Sequence, residues 1–181
     1  IPYLTHVYGM TVQEGANYMV VLSAGLIAGC PILGHLSDRV FCRRRMPYIL
    51  WAVSYTIVWS FFSVLYGGKP PKEMLYVLMF LFGFCGSGFV LTMACVKEVN
   101  PVTLSGIAMG TANTGGFIGS AILQIVMGKI LDINWDATIE AGVRIYPLAA
   151  YQKAFAVCFA VTVFGILAAA TIKETGCKNL F

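Results

Sequence analysis

Five apolar runs of bilayer length, separated by short polar breaks, constrain this chain more than any other feature. They cover about Ala16 to Leu36, Pro47 to Tyr66, Met74 to Val96, Leu104 to Leu131 and Ala150 to Ile172. A helix needs ~20 mostly apolar residues to cross the hydrocarbon core. Lipid offers the backbone no hydrogen-bond partner, so only helices and closed barrels span it, and runs this long without period-2 alternation exclude the barrel. The expected fold class is therefore all-α: a polytopic membrane bundle of five transmembrane helices. The composition fits, with 59% hydrophobic and 11% charged residues set against roughly 45–50% and 25% in an ordinary globular domain.

The breaks carry the information about orientation. Gly34-His35-Leu36-Ser37-Asp38-Arg39-Val40-Phe41-Cys42-Arg43-Arg44-Arg45-Met46-Pro47 places four arginines and an aspartate between two apolar runs. Dense Lys and Arg near helix ends mark the cytoplasmic side, which puts this turn, Lys97, Lys173 and Lys178 inside, and Lys69, Lys72, Lys129, Arg144 and Lys153 outside. An odd number of spans then leaves the amino terminus outside and the carboxyl terminus in the cytoplasm. The net charge of +4 sits largely in this turn and suits anionic lipid headgroups, so no nucleic-acid partner is implied. Six scattered cysteines, with no CxxC and no His/Cys spacing, hold no metal and read as small hydrophobes.

Tyr66 to Lys72 and Lys97 to Thr103 are tight connections that make successive helices antiparallel, and only Asp132 to Ala149 is long. Gly34-x-x-x-Asp38 and Gly128-x-x-x-Asp132 each end a glycine-rich run, a faint repeat whose two copies fall on opposite membrane faces, as an inverted repeat would place them. Small-residue spacing marks packing faces, because helices in lipid associate by close approach and not by hydrophobic burial. Gly25 with Gly29, Gly83 with Ser87, and Gly106 with Gly110 predict that the first, third and fourth spans contact one another. The second and fifth, aromatic and aliphatic, are expected at the periphery.

In the fourth span, Asn113, Phe117, Ser120 and Gln124 share one helical face, with Gly115 and Gly119 on the far side. Amides inside a membrane are costly without a partner or a cavity. That face reads either as the lining of a transport path or as interhelical hydrogen bonding. Asp38, with Arg39, Arg43 and Glu98, reads either as an ion cluster locking the ends of the first three spans or as a solvated turn. No titratable residue sits deep in a span, and His35-x-x-Asp38 lacks the nucleophile or metal set of an enzyme.

Two patterns together resemble the major facilitator superfamily of secondary transporters. Gly34-x-Leu36-Ser37-Asp38-Arg39 with Arg43 looks like that superfamily's turn between the second and third helices of a six-helix half. Glu98, Pro101, Gly106, Gly110 and Asn113 look like the run that enters its fifth helix. Phe41, Cys42 and Ser105 depart from the pattern, Phe41 standing where glycine is usual. The resemblance implies that residues 1–181 form one carboxyl-terminal half-domain. Ile1 to Met10 would be the end of helix seven and the five spans helices eight to twelve. The amino-terminal six-helix half of the same polypeptide would be the missing partner.

It further implies transport of a small solute, an organic anion or sugar-like metabolite, by alternating access in a bacterial inner membrane. Tyr151-Gln152-Lys153-Ala154-Phe155 suggests the organophosphate and organic-anion permease branch. Lipid bilayer and small-molecule substrate are the implied partners, and no cofactor is implied. A transporter-like sensor without flux is the alternative.

Overall fold

The computed structural model describes residues 1–140 and 142–181. Seven α-helices account for most of the described residues: α1 (Pro2–Tyr8), α2 (Val12–His35), α3 (Arg45–Ser63), α4 (Lys72–Gly86), α5 (Phe89–Glu98), α6 (Ser105–Ile133) and α7 (Leu148–Ala170). Four helical stretches are long and apolar enough to cross a membrane: Val12–Phe41, Lys72–Glu98, Val102–Ile133 and Leu148–Ala170. The second expected span, α3, is a 19-residue helix that falls outside this group. Tyr48, Trp51, Tyr55 and Trp59 on it carry polar tips that dilute its apolar character.

Helix α2 begins four residues before the expected Ala16, because Thr11 caps it. The Thr11 hydroxyl accepts the Glu14 N–H at 3.2 Å and the Glu14 carboxylate accepts the Thr11 N–H at 2.7 Å. This reciprocal arrangement satisfies two N–H groups that a helix start leaves unpaired. At its far end α2 widens into a π-helical turn, Leu36–Phe41, and stops at Cys42 in the left-handed region (φ 48°). Phe41 thus keeps helical geometry at the position where the superfamily pattern has glycine, and the sharp bend passes to the next residue.

The expected third span is two helices, α4 and α5, separated at Ser87 and Gly88. The Phe84 carbonyl near the break accepts the Ser87 hydroxyl at 2.7 Å and the Trp51 indole N–H at 3.2 Å. Side chains thereby serve the backbone where regular helix geometry lapses. The long Asp132–Ala149 connection includes a short antiparallel ladder pairing β1 (Ile139–Glu140) with β2 (Val143–Arg144).

Helices α2 and α4 run parallel, with Tyr18 stacked on Tyr76, Leu22 against Gly83, and Gly29 against Ser87. Glycine makes this seam possible. A Cβ on Gly83 would lie 1.8 Å from the Leu22 carbonyl oxygen, and one on Gly25 would lie 2.1 Å from the Phe80 oxygen. The predicted contact of the first and third spans through small residues is therefore present.

The fourth span meets the third, as expected, but not through its glycines. Helix α6 packs beside α5 and α7, and Cβ atoms on Gly106, Gly110, Gly115 and Gly119 would meet nothing within 4 Å. The second span packs more than its aliphatic surface suggests: α3 lies against α4 and α7 on one side, while Leu50 and Ile57 stay exposed on another. Trp59 and Phe62 meet Phe82 and Phe155 edge to face at 5.0 to 6.4 Å. Aromatic knobs with favourable ring geometry hold α3 where small residues hold α2, and a reading based on glycine alone missed them.

The other end of α3 is closed by tyrosines. Tyr3 and Tyr8 donate to the carbonyls of Gly68 (2.5 Å) and Pro70 (2.6 Å), tying α1 to the α3–α4 connection. Gly68 is left-handed (φ 70°), and a Cβ there would lie 2.7 Å from Gln152 Cγ.

Gly83→Ala should lower the melting temperature in detergent, because its Cβ meets rigid backbone and overpacking costs ~1–3 kcal/mol or more. Gly165→Ala, where nothing lies within 4 Å, should not. Equal melting of the two variants would remove the glycine seam as a determinant of packing.

Candidate functional site: an ion-paired latch and an open polar helix face

The basic turn and the end of α5 converge at one end of the bundle, but through an arginine that the spacing of the motif does not single out. Arg39 and Arg43 are exposed, and neither joins an ion pair among the described residues. Arg44, only 6% exposed, points inward. Its Nε donates to both Glu98 carboxylate oxygens at 2.9 and 3.1 Å, and its NH2 donates to Oε1 at 2.5 Å. Its NH1 donates to the Ser37 hydroxyl at 2.7 Å and to Asp38.

The wide turn explains the substitution. After the six residues of π geometry and the left-handed Cys42, Arg44 becomes the residue that flanks the start of α3, and its side chain reaches back between helices. Ser37, fully buried, fixes the turn by donating to the Arg43 carbonyl at 2.8 Å. Gly34 lies one residue before the end of α2, and a Cβ there would meet nothing within 4 Å.

The segment after α7 completes the latch. Thr175 donates its hydroxyl to Glu98, and the Leu180 N–H donates to the Glu98 carbonyl at 2.9 Å. Asn179 donates to the carbonyls of Lys97 and Asn100, each at 3.0 Å. Glu174 accepts the backbone N–H groups of Arg44 (2.8 Å), Arg45, Thr175 and Gly176 (3.1 Å each). Partial burial pushes the Glu174 carboxyl up, but these four donors outweigh it and hold the group below its ordinary value. Glu98 and Asp38 keep the Arg44 guanidinium protonated more firmly than usual.

Nothing local in the sequence marks Glu174, Thr175 or Asn179, since their partners lie 77 to 130 residues away. Arg44 left a faint signal as the arginine nearest the next helix that is not already part of it. Asp38 joins the cluster from the rim, its side chain 55% exposed.

At the opposite end Asp132 pairs with Arg144 at 3.3 Å and accepts the Tyr146 hydroxyl at 2.8 Å. The two Gly-x-x-x-Asp segments thus each end in an Asp–Arg pair, at opposite ends of the bundle.

Helix α6 is exposed over most of its surface, its polar face included. Asn113, Phe117, Ser120 and Gln124 are all exposed, Phe117 at 69%. Ser120 bonds back to the Gly116 carbonyl at 3.0 Å. Neither the Asn113 nor the Gln124 amide has a hydrogen-bond partner among the described residues. The structure brings these four onto one face, well removed in sequence from the latch residues.

Helical stretches of crossing length, an ion cluster at one end and an amide-bearing face on α6 describe a polytopic helical membrane protein. The chain matches the family profile of the Major Facilitator Superfamily over residues 1–175, and it belongs to that superfamily. It is similar to the cis,cis-muconate transport protein of Acinetobacter baylyi, 29% identical over 70% of this chain and 29% of that one. It is also similar to the multidrug resistance protein Stp of Mycobacterium tuberculosis (28%, over 76% of this chain and 25% of Stp). The glycerol-3-phosphate transporter of Bacillus subtilis is 27% identical, over 74% of this chain and 31% of that transporter. The chain therefore spans about a quarter to a third of the length of these relatives. No solved structure gives a significant match.

Arg44→Met should destabilise the fold by ~3–5 kcal/mol, because it strands the buried Glu98 charge. Arg43→Met, on an exposed side chain, should stay within ~0.5 kcal/mol. Similar denaturation midpoints for both would refute the assignment of Arg44 as the inward arginine.

Glu174 gives a pH test. Its folded pKa is depressed, so its contribution is present above the ordinary glutamate value of 4.5 and is lost as pH falls through the folded value. Amide exchange at Gly176 and Leu180 should be slow at neutral pH and accelerate, beyond the intrinsic pH effect, as the pH drops below that range. Glu174→Gln should show the fast exchange already at neutral pH. Protection that is independent of both would mean that the carboxylate does not hold the tail.

Proposed function

We propose that this chain is the carboxyl-terminal half of a secondary transporter that carries a small organic anion by alternating access, with the latch end facing the cytoplasm. One observation carries the reading: the Asn113 and Gln124 amides stand on an exposed face of α6 with no partner among the described residues of this half. Amides in a membrane helix need a partner or an aqueous cavity, and a path between two halves supplies the cavity. Two of the similar proteins are named for muconate and glycerol-3-phosphate, both anions, which supports the substrate class.

The latch suits a gate. Arg44, Glu98 and the tail join the ends of α2, α3, α5 and α7, while Asp38 sits at the exposed edge, where an ion pair is worth only ~0–1 kcal/mol. Such an edge contact breaks and reforms without unfolding the buried pair. Gly34, Asp38 and Glu98 of the expected gate motif keep their places in this reading, with Arg44 taking the part first given to Arg39 and Arg43.

The test is uptake of labelled dicarboxylates and organophosphates by the full-length protein in vesicles. Asn113→Leu and Gln124→Leu should each reduce uptake by about tenfold or more, equivalent to ~1.4 kcal/mol, while melting changes little because neither amide has a partner to lose among the described residues of this half. Asp38→Asn should change the exchange rate between access states but not affinity within a state. Impermeant thiol reagents should label a cysteine placed at Asn134 from outside and spare one placed at Val40. Unchanged uptake in both α6 variants, or the reverse labelling pattern, would overturn the path or the orientation respectively.

A further inference from the structure

A second space lies away from the α6 face. Between α3, α5 and α7 is a cavity of about 620 Å³, and α6 contributes no residue to its lining. Tyr48, Trp51, Ala52 and Tyr55 face it from α3 at the i, i+3, i+4 and i+7 spacing of one helical side, and Gly165 and Ala168 of α7 supply the room by their small size. A Cβ on Gly165 would meet nothing within 4 Å.

The lining offers almost nothing polar to a ligand. Tyr48 and Thr92 are spent on each other at 2.8 Å, the Trp51 N–H on the Phe84 carbonyl, and the Thr162 hydroxyl on the Phe159 carbonyl at 2.7 Å. No charged residue lines the space among the described residues. Its volume falls within the ~300–1,000 Å³ typical of ligand sites. The space is half open, and its apolar walls gain dispersion contacts only from a group that enters it. The filler is therefore apolar, and in a bilayer the apolar molecules at hand are acyl chains.

One end of the cavity fixes the headgroup. Val96 and Ile172 line it there, and each is followed in sequence by an exposed lysine, Lys97 and Lys173. Exposed Arg45 begins α3 at the same end. Three cations thus lie within three residues in sequence of the lining at this end, outnumbering the exposed Glu174 carboxylate beside Arg45, and suit a phosphate joined to a hydrocarbon tail.

We propose that this cavity is a lipid site that takes one acyl chain of an anionic phospholipid, with its phosphate among Lys97, Lys173 and Arg45. The site is independent of the transport reading, since it shares no lining residue with the α6 face. Occupancy would wedge α5 apart from α3 and α7 and so brace the helix that carries Glu98.

Trp51 reports on the site directly. The full-length protein, with its other tryptophans changed to Phe, is reconstituted in nanodiscs containing phosphatidylglycerol or phosphatidylcholine with brominated acyl chains. Brominated phosphatidylglycerol should quench Trp51 at low mole fraction and saturate, while phosphatidylcholine should not saturate in that range. Gly165→Leu, and separately Ala168→Leu, each fill the space and should abolish the saturable component. Lys97→Gln with Lys173→Gln should abolish the preference for the anionic lipid. Quenching that rises in proportion to mole fraction and ignores Gly165→Leu would mean ordinary surrounding lipid and would overturn the site, as would no quenching at all. A saturable component that is blind to headgroup charge would overturn the assignment of the phosphate.

Discussion

Burying a guanidinium at the margin of a lipid-embedded bundle is the costliest thing this chain does, and much of its basic end is arranged to meet that cost. An ion loses several kcal/mol on leaving water even after relaxation. Arg44 recovers this only because its donors reach Glu98, Ser37 and Asp38 together. Glu98 in turn is satisfied from the far side by Thr175. The π-helical turn, the left-handed Cys42 and the folded-back tail all serve that geometry. Removing any of them leaves the charge with fewer partners, so the cluster behaves as a unit and not as a sum of pairs.

Much of the architecture was legible in the sequence because lipid is an exacting solvent. Four of the five expected spans reappear as stretches of crossing length, and the Gly25, Gly29 and Gly83 spacing located the α2–α4 seam. These signals are strong because period and residue size are local properties. The aromatic contacts of α3 were not legible, since the same residues suit lipid or a neighbouring helix, and only the tertiary arrangement of Phe82 and Phe155 decides between them. A Cβ on Gly106, Gly110, Gly115 or Gly119 would meet no neighbour within 4 Å among the described residues. Small residues permit close approach but do not bring a partner.

The site was half legible. Asp38 and Glu98, singled out by spacing, do meet at one arginine, whereas the α6 amides, singled out by their cost in a membrane, are seen only to be exposed. The arginine was misplaced, Arg39 and Arg43 being named where Arg44 turns inward, because which of them faces inward depends on how many residues the turn uses per revolution. No residue-level pattern announces a π-helical turn. The tail was invisible for a different reason: hydrogen bonds spanning 77 to 130 residues leave no periodic trace.

The interruption at Ser87 and Gly88 divides one membrane crossing into two mechanical parts. Above it, α4 is fused to α2 by interlocked backbones that cannot slide without collision. Below it, α5 holds Glu98 and answers to the arginine and the tail. The contacts of Glu98 therefore bear on a ten-residue helix whose backbone is interrupted before it reaches the glycine seam.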